Sequence, residues 1–264
     1  MIIEWNTHIF SSDLERCPFH PNATYTPDVS RRFEDPLAVY MERMEEEGID
    51  RAVLVQSEPY GDDHHLVLEC LDREPERFKA TSLFYPRDPE APRKLEKLVE
   101  QEPKIVATRF HGSRAYLDTF ADSGVRALWK KAAELGLIVE LHIGPMYAAG
   151  AAEVIRMYPE TTVLIDHLAE PHTGNPVQFA DVLDLARFDR VYMKLSGLNH
   201  FSKDEPLYLE ARPFTRWVID AFGPDRMVWG SGTPGIVDAH MEGFSEEDRD
   251  KVKGGNLAEL LGFV

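Results

Sequence analysis

Apolar residues along this chain gather in short runs separated by amphipathic stretches. Eight runs are rich in β-branched and aromatic residues: 1–5 (MIIEW), 51–56 (RAVLVQ), 78–84 (FKATSLF), 104–110 (KIVATRF), 137–143 (LIVELHI), 161–167 (TTVLIDH), 190–196 (RVYMKLS) and 226–231 (RMVWGS). Several are apolar almost throughout, the pattern of parallel strands covered by helices on the outside. Helical spacing fills most of the gaps. The segment 36–47 opens with Asp35–Pro36, a cap followed by Pro at the first helical position. Asp88–Pro89 repeats the device ahead of a helix over 88–101. Residues 121–135 carry Val125, Leu128, Trp129, Ala132 and Leu135 at helical spacing and stop at Gly136. Residues 62–73, 148–157, 176–187, 206–222 and 246–262 complete the set.

Eight strands alternating with eight helices in 264 residues predict a (β/α)8 TIM barrel forming one domain, 1–264. A doubly wound open sheet is the main competitor. There is no internal repeat, low-complexity segment or obvious linker. The stretch 12–35 stands apart: rich in Pro, Asp and Ser, it is too long for an ordinary connection and reads as a lid loop.

Charge narrows the partners. Forty-six acidic residues against 29 basic ones leave a net charge of −17, which argues against nucleic acid or an anionic membrane surface. A small anionic substrate stays open, because a few arginines can reverse the field inside a pocket. The two cysteines, Cys17 and Cys70, form no CxxC pair and suggest a reducing compartment. No signal-peptide pattern and no membrane-length apolar run is present, so the expectation is a cytoplasmic protein.

Barrel enzymes place their chemistry at the C-terminal ends of the strands. Those ends carry Asn6 and His8; Gln56 and Glu58; Ser82 and Tyr85; Arg109 and His111, then Arg114; Glu140 and His142; Asp166 and His167, then His172; Lys194 and Ser196, then Asn199 and His200; and Ser231, Gly232 and Thr233. Six of the ten histidines therefore lie at or just past strand ends. One histidine there reads as structural; six on one face read as a site. His20, His64, His65 and His240 are expected to be solvated, and the acidic run 41–48 (MERMEEEG) to be a solvated helix face.

The ordered motifs "NTHIF", "YPRDPEAP" (85–92), "GVRALWKKAAELGLIVELHIG" (124–144), "VLIDHLAEP" (163–171), "YMKLSGL" (192–198), "RMVWGSGTP" (226–234) and "GGNLAELLGF" (254–263) resemble the amidohydrolase-related branch of the amidohydrolase superfamily. This is the group that includes 2-pyrone-4,6-dicarboxylate lactonase, sugar lactonases and decarboxylases. The resemblance implies an HxH pair after strand one, a His on strand five, a His on strand six and an Asp after strand eight, binding one divalent metal or none. By position these are Asn6 and His8, His142, His167 and Gly232. Two of the five have changed: Asn is a poor zinc ligand, and Gly has no side chain. The resemblance also gives the lost Asp the role of general base.

His142 and His167 are expected to be the catalytic histidines, and Asn6, Arg109 and His111 the substrate contacts. His8, His142 and His167 are the ligands if a metal such as zinc is retained, and the two lost positions tilt the expectation toward none. Arg109 suits a carboxylate clamp, with an ion pair to Glu140 as the equal alternative. Asp166 is expected to orient its neighbours, Lys194 and Ser196 to be structural, and Glu58 to be a substitute base. The implied function is hydrolysis of a lactone of a small carboxylated or sugar-acid substrate by water attack. The alternatives are a lactone isomerase or decarboxylase on the same scaffold, or an inactive metabolite-binding barrel. Relatives in the group commonly form homo-oligomers.

Overall fold

The structure is a computed structural model describing residues 1–30, 35–112 and 117–263. Eight parallel strands run β1 (Ile3–Thr7), β2 (Arg51–Val55), β3 (Phe78–Leu83), β4 (Ile105–His111), β5 (Ile138–His142), β6 (Val163–Ile165), β7 (Val191–Leu195) and β8 (Met227–Trp229), neighbours in chain order. This is the expected (β/α)8 barrel. Between the strands lie helices α1 (Pro36–Glu47), α2 (His65–Arg73), α3 (Ala91–Gln101), α4 (Ser123–Glu134), α5 (Ala148–Met157), α6 (Pro176–Asp184) and α7 (Arg212–Phe222). After β8 come α8 (Gly235–His240), α9 (Glu246–Asp250) and α10 (Asn256–Leu261).

Local chemistry sets the helix starts. Asp35 caps α1 by accepting from the Ala38 amide at 3.1 Å, with Pro36 behind it. Asp88 instead closes a turn on Glu90, so α3 starts at Ala91 rather than at 88. Two expected helices are shorter. The segment 206–222 becomes helical only from Arg212. The segment 246–262 splits into three pieces, with a wide turn at Lys251–Gly255 where Gly254 lies against the backbone of Met1 and Ile3. Helix α8 has no counterpart among the expected elements.

Two apolar layers follow from strand alternation. Outward residues such as Leu54, Phe110, Leu141 and Trp229 pack on the helices. Inward ones, including Ile3, Trp5, Val53, Val55, Ala107, Leu164 and Val228, fill the lower lumen, which Leu257 and Leu261 of α10 plug. Among the described residues, no hydrogen-bonded ladder joins β1 to β8. Arg43 of α1 bolts that seam: it pairs with Glu4 of β1 at 3.1 Å and donates to the Gly232 carbonyl at 2.7 Å.

The loop after β1 is tied to the β2 side of the mouth. The Thr24 amide donates to Glu58 at 2.9 Å, the His20 amide to the Pro59 carbonyl at 2.7 Å, and the His20 ring bonds Tyr85 at 2.7 Å. Glu58, the expected substitute base, is thus an anchor for this loop. His64 and His240 are not solvated as expected. His64 accepts from the Leu83 amide, and His240 sits fully buried between Thr215 and the Leu207 carbonyl. Among the described residues, no helix is long and apolar enough to cross a membrane.

Candidate active site

Strand β1 pairs with β2 in regular register to Trp5, then shifts so that Thr7 rather than Asn6 faces Leu54. Asn6 is the extra residue of a β-bulge. Glu4 and Thr7 hydrogen-bond each other on the helix side, together with Tyr40. The bulge therefore leaves Trp5 and Asn6 both toward the lumen and lets His8 follow. The Asn6 Oδ1 is buried with no hydrogen-bond partner, and His8 Nδ1 meets Ser57 Oγ at 3.2 Å.

Beneath the mouth lies a buried ionic quartet from four consecutive strands. Arg109 is in direct register with Glu140 on β5, yet its Nε and Nη2 both donate to Asp166, at 3.0 and 2.6 Å. Glu140 is taken by Lys194 at 2.6 Å, and Lys194 also reaches Asp166 at 2.6 Å. Its ammonium lies 5.6 Å from the Trp5 ring centroid. The charges balance, two against two, with every member essentially out of water. Burial pushes the Glu140 carboxyl up to about 7, aided by Asp166. Burial would raise Asp166 as well, but Lys194 and Arg109 outweigh it and hold that carboxyl well below the usual range. Arg109 is therefore corrected as a carboxylate clamp: its fork is committed to Asp166, because Lys194 already occupies Glu140.

Above the quartet the histidines form a chain. Ring centroids of His111 and His142 are 4.6 Å apart, those of His142 and His167 5.1 Å, and those of His167 and His200 5.1 Å, all edge to face. Burial, with Arg109 and Lys194 close by, lowers His8 to about 3; burial likewise lowers His111 to about 2. His142 and His167 are also depressed, first by burial. These four imidazoles are neutral near pH 7. His167 Nδ1 bonds Ser196 Oγ at 2.8 Å, and Gly197 follows with its Cα so close that a Cβ would sit 2.7 Å from the His167 ring.

Strand β6 ends at Ile165, earlier than expected, and His167 lies past it. His167, Leu168, Ala169 and Glu170 have φ of 51°, 55°, 59° and 47°, four successive left-handed residues and none of them glycine. Each such residue costs roughly 1–2 kcal/mol, so the turn persists only because its surroundings fix it. Its own bonds run from the Ala169 amide to the Asp166 carbonyl (2.8 Å) and from the Glu170 amide to the His167 carbonyl (2.9 Å). Side chains three apart in such a tight turn eclipse, which sets Glu170 on the His167 side. The Glu170 carboxylate meets His142 Nε2 at 2.9 Å, His200 Nδ1 at 2.9 Å and His172 Nδ1 at 3.5 Å. Burial would raise Glu170, but hydrogen bonds from His142 and His200 prevail and hold it below the ordinary carboxylate range. A cavity of about 380 Å³ opens here, lined by His111, His142, Tyr147, Glu170, His172 and His200 among others.

The family model described as Amidohydrolase matches residues 5–263. The chain belongs to the amidohydrolase family. It is 28% identical over 240 residues to a 4-sulfomuconolactone hydrolase of Hydrogenophaga intermedia, covering 87% of this chain and 74% of that protein. It is also 28% identical over 196 residues to an L-fucono-1,5-lactonase of Burkholderia ambifaria, covering 71% and 66%. A solved structure from Pseudomonas putida, described as a putative 2-pyrone-4,6-dicarboxylic acid hydrolase, superposes with a TM-score of 0.80 at 23% identity, covering 99% and 97%.

The loop after β8 offers no side chain at position 232, where the resemblance implies an Asp. Gly232 has φ of 81°, and a Cβ there would lie 2.5 Å from Ile236 Cδ1. The structure brings His142 and His167 together in line with the sequence expectation, with His111 beside them. Among the described residues, the donors that converge as a potential metal group, all within 4.8 Å of one another, are His142, His167 and Glu170; His8 is not in that group. The set differs from the expected His8, His142 and His167 by Glu170 in place of His8. Glu170 and the bonding role of His200 escape sequence reasoning. The signal is present in "DHLAEP", an acid three residues after a candidate histidine, but only a left-handed turn makes that spacing converge. Arg114 lies outside the described residues.

Proposed function

We propose that this amidohydrolase opens a small lactone by water attack, the substrate being a lactone of a sugar acid or a carboxylated ring. One observation carries the reading: the cavity at the barrel mouth is lined by the neutral imidazoles of His111 and His142 together with the Glu170 carboxylate. The 4-sulfomuconolactone hydrolase and the L-fucono-1,5-lactonase that resemble this chain both act on lactones, which supports it. The described lining offers imidazole donors and acceptors while Arg109 is committed to Asp166, an arrangement that suits the hydroxyls of a sugar-acid lactone.

While no ion is bound, His167, its Nδ1 held by Ser196, is assigned to take a proton from water through Nε2. His142 has Nε2 on Glu170, while its buried Nδ1 lacks a partner. Because Nε2–H donates to Glu170, that Nδ1 is an acceptor; the Asn6 side-chain NH2 is the group assigned to the lactone carbonyl and its oxyanion. The described loop residues up to 30, tied to Glu58 and Tyr85, act as the lid, and His111 packs the substrate against His142. The donor set of His142, His167 and Glu170 fits one divalent ion, two imidazoles and a carboxylate. Such an ion would polarise the carbonyl and lower the pKa of a bound water.

The test is ring opening of a panel of sugar-acid and carboxylated-ring lactones, followed by acid release. Wild-type protein is expected to turn over at least one, and His142→Ala to lower kcat/KM by roughly 100-fold or more. No turnover across the panel would overturn the hydrolase reading. Unchanged activity in His142→Ala would overturn the site.

A further inference from the structure

The Glu170 carboxylate presents an imbalance. It is 7% exposed, yet among the described residues only histidines reach it, His142, His172 and His200, and no Lys or Arg does. The neighbouring acids are no comparison, because Arg109 and Lys194 already neutralise Asp166 and Glu140. A buried charge is paired or coordinates a metal. Two more observations point the same way. His142 Nδ1 is buried without a partner. And four left-handed residues in succession hold Glu170 against the histidines, a conformation the turn does not adopt for its own sake.

We infer that His142, His167 and Glu170, whose donor atoms lie within 4.8 Å of one another, form a His2Glu centre for a divalent cation of the zinc type. Three protein donors with a fourth position left open is the arrangement of catalytic zinc sites. The carboxylate has enough lone pairs to accept from His200 and bind an ion together. His200, whose Nδ1 lies 2.9 Å from Glu170, then becomes the residue that orients a ligand. The carboxylate of this centre comes from the β6 turn; the loop after β8 offers none at Gly232, where Ile236 occupies the space a side chain would need and Arg43 holds the carbonyl.

The centre is independent of which lactone, if any, is turned over, so it is tested by binding. Chelator-stripped full-length protein is titrated with Zn2+ by calorimetry, and with Co2+ while the visible absorption of the bound ion is recorded. Wild type is expected to take up one equivalent of either ion. Glu170→Gln is expected to weaken binding at least ~100-fold and to alter or abolish the Co2+ spectrum. Glu170→Asp is expected to retain intermediate affinity, which guards against a Glu170→Gln protein that does not fold. His8→Ala is expected to bind within about 3-fold of wild type, as a residue outside the donor set should. The inference is overturned if wild type binds neither ion, if Glu170→Gln binds as tightly as wild type, or if His8→Ala loses binding. A silent lactone panel with metal binding intact would overturn the proposed reaction and leave the centre standing.

Discussion

Two charged clusters lie one above the other in this barrel, and they are built on opposite terms. The lower one, Arg109, Glu140, Asp166 and Lys194, is closed: two cations, two anions, contacts of 2.6 Å and no access to water. The upper one, Glu170 with His142, His172 and His200, has one anion, no Lys or Arg among the described partners, and an opening to a cavity. A balanced buried network rigidifies and is costly to break. An unbalanced one stores affinity for whatever arrives. The first holds the strands and sets the field; the second meets the ligand.

The largest expected effect lies in the closed cluster. Lys194→Met leaves Glu140 and Asp166 short of a cation and is expected to cost about 3–5 kcal/mol in urea unfolding. A loss below about 1 kcal/mol would mean that the quartet is not the structural half of the comparison.

Acid should act on the histidines first. His64 is a clean reporter away from the mouth: burial lowers it to about 4, and its ring accepts from the Leu83 amide. Its folded pKa lies below the unfolded value of about 6.5, so its stabilisation is complete above pH 6.5 and is lost as pH falls toward 4. At roughly 1.4 kcal/mol per unit this amounts to about 3 kcal/mol. His8 and His111, depressed further, add to the same window. Melting temperature measured from pH 7.5 to 4.5 should fall steeply, and His64→Gln should flatten the slope. An unchanged slope would remove His64 from the account.

In the open cluster the stability effect should nearly vanish. Glu170→Gln removes a buried charge that lacks a cation, and metal-free protein is expected to unfold within about 1 kcal/mol of wild type while lactone turnover falls ~100-fold. A loss as large as that of Lys194→Met would erase the distinction between the two clusters. A further stability effect concerns position 232. Gly232→Ala places a side chain at φ 81° against the end of Ile236 and is expected to cost about 1–2 kcal/mol, read as a lowered melting temperature.

Much of the fold is legible in the chain because it depends on local pattern. Asp35–Pro36 announces α1 through its own side chain, and the apolar runs announce eight strands through alternation and length. His142 ends β5, where the strand fixes which way a side chain points; His167 lies past the end of β6, and the left-handed turn sets its direction. Glu58 is not legible in the chain, because its carboxylate is used by Thr24, 34 positions away. Nor is His240, because α7 and the segment before it close over its ring.

Residue identity and periodicity are properties of the chain, and they suffice for the barrel and the family. Which charges pair is settled only by the packed fold. Arg109 faces Glu140 in register but bonds Asp166, because Lys194 reaches Glu140 from β7. The meeting of Glu170 with the histidines is likewise a tertiary matter, because no local preference favours four left-handed residues in succession. The packing of the β6 turn against Ser196, Gly197 and His200 holds them there.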